Sequence, residues 1–171
     1  MTHFEIDNSL KTMRLLSDTR EQLTDRYKRR IAQIGLPCAR RKLNAGDYSC
    51  DCLLPDGSIY DLSGQVAIER KMDLDELCMC FGRERKRFEK EFERAKDAGI
   101  KIYLLVENGT WEMAYGGRYK SLMKPQSLIA SIDAFRARYG VQLDFCREET
   151  TGLLIRDILY RELKHHLEAL P

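Results

Sequence analysis

The sequence lacks several things that would narrow its role at once. Nowhere in its 171 residues is there a run of 18 apolar positions, and Met1-Thr2-His3-Phe4-Glu5-Ile6-Asp7 has neither the basic nor the apolar stretch of a secretory leader. The expectation is an intracellular, cytoplasmic chain with no membrane association. Low-complexity tracts, internal repeats and linker-like Gly/Ser/Pro stretches are missing too, which argues for one domain over residues 1–171. Charge of one sign is also lacking. Against 29 basic residues stand 27 acidic ones, a net charge of +2, so any attraction to nucleic acid has to come from local clusters. What remains is ordinary globular material, 43% hydrophobic and 33% charged, enough for a real core and unlike a disordered chain.

Cysteine is the exception to this sparseness. Cys38, Cys50, Cys52, Cys78, Cys80 and Cys146 include two Cys-x-Cys pairs, and a Cys-based zinc-binding regulator is one alternative reading. Structural zinc sites space paired ligands two to four residues apart, and no histidine pair or loop context completes a site beside these cysteines. Reduced thiols acting as small buried apolar groups fit the spacing better.

Along the chain, strands and helices alternate. Met13 to Ser17 reads as a short strand, Thr19 to Ile34 as a helix stopped by Gly35, and Cys38 to Leu43 as a second strand. Asp47 to Leu54 and Ser58 to Lys71 are extended segments joined by the turn Pro55-Asp56-Gly57, a hairpin that places Asp47 and Glu69 on neighbouring strands. A short helix to Cys80 opens at Asp73 or Asp75, and a long one runs from Arg83 to Ala98. Ile100 to Val106 is the most apolar run and reads as a buried strand. Trp111 to Arg118 is expected as a loop or short edge strand. Pro125 starts a helix closed by Gly140, Val141 to Cys146 is another strand, and Leu153 to Leu167 a last amphipathic helix. Leu154, Ile155, Ile158 and Leu159 on it could face a core or a second subunit. The alternation predicts an α/β fold, a mixed central sheet flanked by helices.

Chemistry concentrates in Ile68-Glu69-Arg70-Lys71. Residues two apart on a strand share a face, so Glu69 and Lys71 converge while Arg70 points away. Carboxylates beside a lysine suit metal-dependent attack on a phosphate. On the long helix Arg83, Arg87, Lys90 and Arg94 form a basic stripe opposite Phe88, Phe92 and Ala95. It could track phosphates, or it could be a solvated face paired with Glu84, Glu89, Glu91 and Glu93.

Four separate elements occur in a familiar order. Asp18-Thr19-Arg20-Glu21, Gly46-Asp47, Glu69-Arg70-Lys71 with Asp75 after three residues, and Tyr103-Leu104-Leu105-Val106-Glu107 together resemble the nuclease domain of the XPF family of structure-specific DNA endonucleases. The resemblance spans about Met13 to Asn108. It implies a restriction-endonuclease-like PD-(D/E)XK fold and metal-assisted phosphodiester hydrolysis in DNA, in branched or flapped substrates. It also implies Asp47 and Glu69 as ligands of Mg2+, with Mn2+ a substitute, and the Arg70 carbonyl as a further donor. Lys71 would orient a water or neutralise transition-state charge, and Asp18 would hold a second metal. Arg20, Glu21 and Asp75 would support the site.

Each of these residues also has a bland reading. Asp47 after Gly46 suits a turn, Arg20 and Glu21 suit the first turn of a helix, and Asp75 suits a helix cap. Arg70 would form an ion pair with Asp75 or Asp18. The family's tandem helix-hairpin-helix units are not recognisable after Asn108. Residues 120–171 read as a helix-strand-helix extension, which suggests a stand-alone bacterial or phage-type member acting as a homodimer or with a separate DNA-binding partner. The interval from Asp47 to Glu69 is longer than the family pattern, the extra hairpin lying in residues 50–65. A non-catalytic DNA-binding or scaffold domain of the same fold is the principal alternative.

Overall fold

In the computed structural model, which describes residues 1–170, one seven-stranded mixed sheet runs through the chain. Its elements are α1 His3–Lys11, β1 Arg14–Ser17, α2 Asp25–Ile34, β2 Cys38–Arg40, β3 Tyr48–Leu53, β4 Ile59–Asp61, β5 Val66–Lys71, α3 Leu74–Phe81 and α4 Arg85–Asp97. β6 Lys101–Glu107, α5 Trp111–Tyr115, α6 Pro125–Tyr139, β7 Gln142–Cys146 and α7 Glu148–Glu168 follow. The strand order is β2-β1-β3-β5-β6-β7. β3 runs antiparallel to β1, β4 and β5, whereas β5-β6-β7 and β1-β2 are parallel.

The far side of β3 is shared. Its Tyr48 end pairs with Ile68 of β5 and its Asp51–Leu53 end pairs with β4. The expected continuous strand from Ser58 to Lys71 is therefore broken by a 3-10 turn at Leu62–Gly64, where Asp61 accepts the Ser63 N–H and Leu62 is fully buried. The break lets one strand leave β3 and its continuation return beside it. Neighbouring placement of Asp47 and Glu69 survives, because the Asp47 N–H donates to the Ile68 carbonyl at 2.7 Å.

Alternation along the strands sends side chains to two cores. Ala67, Ile102, Leu104 and Val106 face one, covered by α3, α4, α5 and α6, with Phe81, Phe88, Phe92 and Phe135 packed ring against ring at 4.7–5.8 Å. Val66, Ile68 and Leu105 face the other, covered by α1, α2 and α7. Ile155 and Leu159 are fully buried there, so that face of the last helix is a core face. The helix-strand-helix segment α6, β7 and α7 thus belongs to the sheet and its covering layers rather than forming an appendage, since β7 pairs with β6 from Tyr103–Gln142 to Glu107–Cys146.

Other expectations need correction. The helix expected from Thr19 begins at Asp25, because the Thr24 hydroxyl caps it by accepting from the Tyr27 N–H, and residues 19–24 form a loop. α1 is an additional helix ahead of β1, and its Thr2/Glu5 capping box is the sequence signal that marks it. Trp111–Tyr115 is a short helix capped by Thr110. α7 starts at Glu148, five residues before Leu153. No helix among the described residues is long and apolar enough to cross a membrane.

Candidate active site

Strand alternation puts Glu69 and Lys71 on the α4 side of β5 and Arg70 on the opposite side, as the sequence predicts. Asp47 arrives beside them at the start of β3. Gly46 makes this possible: its φ is +68°, and a Cβ there would lie 2.8 Å from the Ile68 carbonyl oxygen and 3.0 Å from the Ala67 Cβ. Only glycine permits both the left-handed backbone and the close approach. The Arg70 N–H then donates to Asp47 Oδ2 at 2.8 Å, while Oδ1 accepts no hydrogen bond from the described residues.

These groups line a cleft of about 200 Å³ together with Arg20, Asn44, Ala45, Arg87, Glu91 and Arg94. The Lys71 ammonium lies 2.5 Å from Glu69 Oε1, 3.9 Å from Glu76 Oε1 and 5.1 Å from the centre of the Phe88 ring. Burial acts to lower the Lys71 pKa, but the Glu69 and Asp47 carboxylates outweigh it and raise it. Asp47 is pushed the other way from ionisation: burial first, then Glu69 and Glu21, raise its pKa well above the usual range against Lys71 and the Arg70 N–H. Two carboxylates crowded into one cleft, with Asp47 Oδ1 left to accept, are the hard oxygen donors that suit a divalent cation. Among the described residues no cluster of three or more His, Cys, Asp or Glu side chains is arranged for a metal, so an ion here would rest on Asp47 and Glu69, with room for water and phosphate oxygens. The Cys-x-Cys pairs likewise belong to no such cluster among the described residues. Cys50, Cys52, Cys78 and Cys80 are buried, on β3 and α3.

The remaining expected residues divide. Asp18 is completely buried and both its oxygens are occupied: Oδ1 accepts from the Arg20 N–H and Nε at 2.8 and 2.7 Å, Oδ2 from the Leu43 N–H at 2.6 Å. It ties the loop after β1 to the loop before β3 and does not present a ligand to the cleft. Arg20, fixed by this contact, reaches the cleft and approaches Glu91 at 3.8 Å. Of the basic stripe, Arg87 and Arg94, two turns apart, line the cleft. Arg83 lies ahead of α4 against Met79, and Lys90 is not among the residues that line the cleft. Asp75 caps nothing. Asp73 is the cap of α3, and Asp75 accepts the Lys120 and Ser121 N–H groups at 2.8 and 2.6 Å, pinning the loop before α6.

Arg70 pairs with neither Asp75 nor Asp18. On the far face of the sheet its guanidinium lies 3.2 Å from Glu107 and 3.9 Å from Glu21. Arg30 of α2, almost wholly buried, lies 3.3 Å from Glu107 and 3.4 Å from Glu21, and donates to the Tyr48 hydroxyl at 3.0 Å. That hydroxyl donates in turn to Glu21 at 2.5 Å. Two arginines, two glutamates and a tyrosine thus form a buried network directly behind the segment that holds Asp47. Sequence reasoning missed Arg30, Tyr48 and the role of Glu107, since nothing in their spacing shows that α2, β3 and β6 meet. Glu91 was legible, four residues after Arg87 on the same helix face.

A wider groove of about 820 Å³ shares Arg20 and Arg87 with the cleft and is of mixed charge, lined by Arg26, Arg30 and Arg70 but also by Glu21, Asp73, Asp75 and Glu76.

Comparison with known proteins agrees with this architecture. The model of the ERCC4 domain matches residues 17–156, most of the chain, and the chain belongs to that family. XPF from Aeropyrum pernix superposes with a TM-score of 0.61 at 20% identity, over 92% of this chain and 62% of that one. XPF from Aeropyrum pernix in complex with DNA gives a TM-score of 0.62 at 20% identity, over 92% and 74%. This chain therefore spans less than two thirds of the first of these structures, and the likeness is one of fold. No curated protein matches the sequence. The family match extends beyond Asn108 through β7 into α7, consistent with the place of both in the sheet and core.

Proposed function

We propose that this ERCC4-domain protein is a magnesium-dependent endonuclease that hydrolyses phosphodiester bonds in DNA, acting on branched or flapped substrates. The observation that carries the reading is the convergence of Asp47, Glu69 and Lys71 from two strands in one cleft whose other wall presents Arg87 and Arg94. Each part has a chemical task.

Asp47 and Glu69 supply the hard oxygen donors that Mg2+ or Mn2+ prefers, and the Arg70 N–H holds one Asp47 oxygen so that the other faces the cleft. A divalent ion bound there supplies Lewis acidity to the phosphate and acidifies water. Lys71, on the same strand face as Glu69, neutralises charge developing on the phosphate oxygens. Arg20, Arg87 and Arg94 ring the cleft and hold the flanking phosphates, as forked donors suited to them.

The test is cleavage of a panel of single-stranded, duplex, flapped, splayed-arm and four-way-junction DNA with Mg2+ and with EDTA. Cleavage of the branched or flapped members that needs Mg2+ is expected. DNA binding without cleavage of any member would favour the non-catalytic binding domain instead.

A further inference from the structure

The contact between Lys71 and Glu69 poses a chemical conflict. Glu69 Oε1 is held by the ammonium at 2.5 Å, yet the reading above asks the same carboxylate to bind a divalent cation. Bringing a doubly charged ion to Glu69 repels the ammonium, and a lysine only 8% exposed cannot turn out to water freely. Among the described residues one other carboxylate lies within 4 Å of it.

Glu76 Oε1 lies 3.9 Å from Lys71 Nζ. Its other oxygen accepts the Met72 N–H at 2.6 Å, which anchors the carboxylate to the residue next to Lys71. Its own N–H donates to the cap Asp73 at 2.8 Å, so backbone and side chain are both fixed. A shift of the ammonium by about 1 Å converts this contact into a charge-assisted hydrogen bond of ordinary length, roughly 2.8 Å. The Phe88 ring, 5.1 Å away, offers a face to the cation along that path.

We propose that Glu76 is a positioning residue that receives the Lys71 ammonium from Glu69 when Glu69 binds a divalent ion. The inference rests on the reading of Asp47 and Glu69 as the metal ligands. It makes Glu76 part of the cost of metal binding: without it the ammonium is left to the two metal-binding carboxylates and competes with the ion, and with it the lysine stays beside the cleft, charged and paired.

The experiment is calorimetric titration of the DNA-free protein with Mn2+ and Mg2+, comparing wild type, Glu76→Gln, Glu76→Asp, Lys71→Met, the double variant Glu76→Gln with Lys71→Met, and Glu69→Ala. Glutamine keeps the acceptor for the Met72 N–H, and thermal unfolding checks that each variant is folded. Glu76→Gln is expected to weaken ion binding about tenfold, the usual scale for a residue that orients a ligand, and to have little effect when combined with Lys71→Met. Glu76→Asp keeps the charge but shortens the reach and should also weaken binding. Equal losses from Glu76→Gln with and without the Lys71→Met substitution would reduce Glu76 to a general charge effect and overturn the hand-over, as would no loss at all. Wild type that binds no ion, or Glu69→Ala that binds like wild type, would overturn the metal-site reading and the hand-over together.

Discussion

Replacing Gly46 by alanine perturbs the site through the backbone alone, and its cost can be worked from the structure. The left-handed conformation at φ +68° costs an L-residue about 1–2 kcal/mol. The new Cβ would stand 2.8 Å from the Ile68 carbonyl oxygen and 3.0 Å from the Ala67 Cβ, a clash with backbone and a strand residue rather than with a flexible side chain. Overpacking of this kind adds about 1–3 kcal/mol. The expected loss is therefore about 2–5 kcal/mol, read as a lower urea midpoint at unchanged m-value. Relief requires β3 to lift from β5, which lengthens the Asp47 N–H to Ile68 bond and the Arg70 N–H to Asp47 bond, now 2.7 and 2.8 Å. Ion binding and cleavage should fall with stability. Gly57 is the control: its φ is +83°, but a Cβ there meets nothing within 4 Å, so Gly57→Ala should cost only the backbone strain and leave cleavage intact. A Gly46→Ala protein no less stable than Gly57→Ala, and as active as wild type, would refute the account of how Asp47 is placed.

Charge reversal at Arg87 and Arg94 should weaken DNA binding and flatten the salt dependence by about 2 in log–log slope, measured by fluorescence anisotropy, whereas reversal at Lys90 should do little. An unchanged slope would return α4 to a solvated face. Glu107→Gln leaves Arg30 and Arg70 without their shared buried partner and should cost about 3–5 kcal/mol in urea unfolding; a loss under about 1 kcal/mol would show that the network is not held by that charge. At Glu162, burial acts to raise the carboxyl pKa, but hydrogen bonds from Lys101 and Tyr103 outweigh it and the pKa is lowered. A depressed carboxylate contributes stability that is complete above the ordinary glutamate pKa and is lost as pH falls through the folded-state value. The stability gap between wild type and Glu162→Gln should therefore be constant near neutrality and narrow on acidification, and a gap that widens in acid would contradict the assignment.

Much of the fold and the core of the site was legible because strand alternation is a strong local rule. It placed Glu69 and Lys71 on one face and Arg70 on the other without knowledge of the sheet. The turn Pro55-Asp56-Gly57 does make a hairpin, but with β4 rather than with the Glu69 strand, and the 3-10 turn at Leu62–Gly64 that separates the two was invisible because Ser58 to Lys71 has no proline and only one glycine, Gly64. The start of α2 shifted from Thr19 to Asp25, because Thr24 caps the helix while residues 19–24 are held as a loop by the Arg20 and Leu43 N–H groups on Asp18. The partners of Arg70 could not be read at all. They come from the loop after β1 and the end of β6, far from Arg70 in the sequence on either side, and only the tertiary fold joins them.

The central claim is that Asp47, Glu69 and Lys71 form one metal-dependent hydrolytic centre. Its most direct test is the single-turnover rate of cleavage of a branched DNA at saturating Mg2+ by wild type, Glu69→Ala and Lys71→Ala, each shown to be folded by circular dichroism. The account predicts that both variants lose about 10²-fold or more, the scale for removing a group that stabilises transition-state charge. Undiminished cleavage by folded Glu69→Ala protein would contradict it.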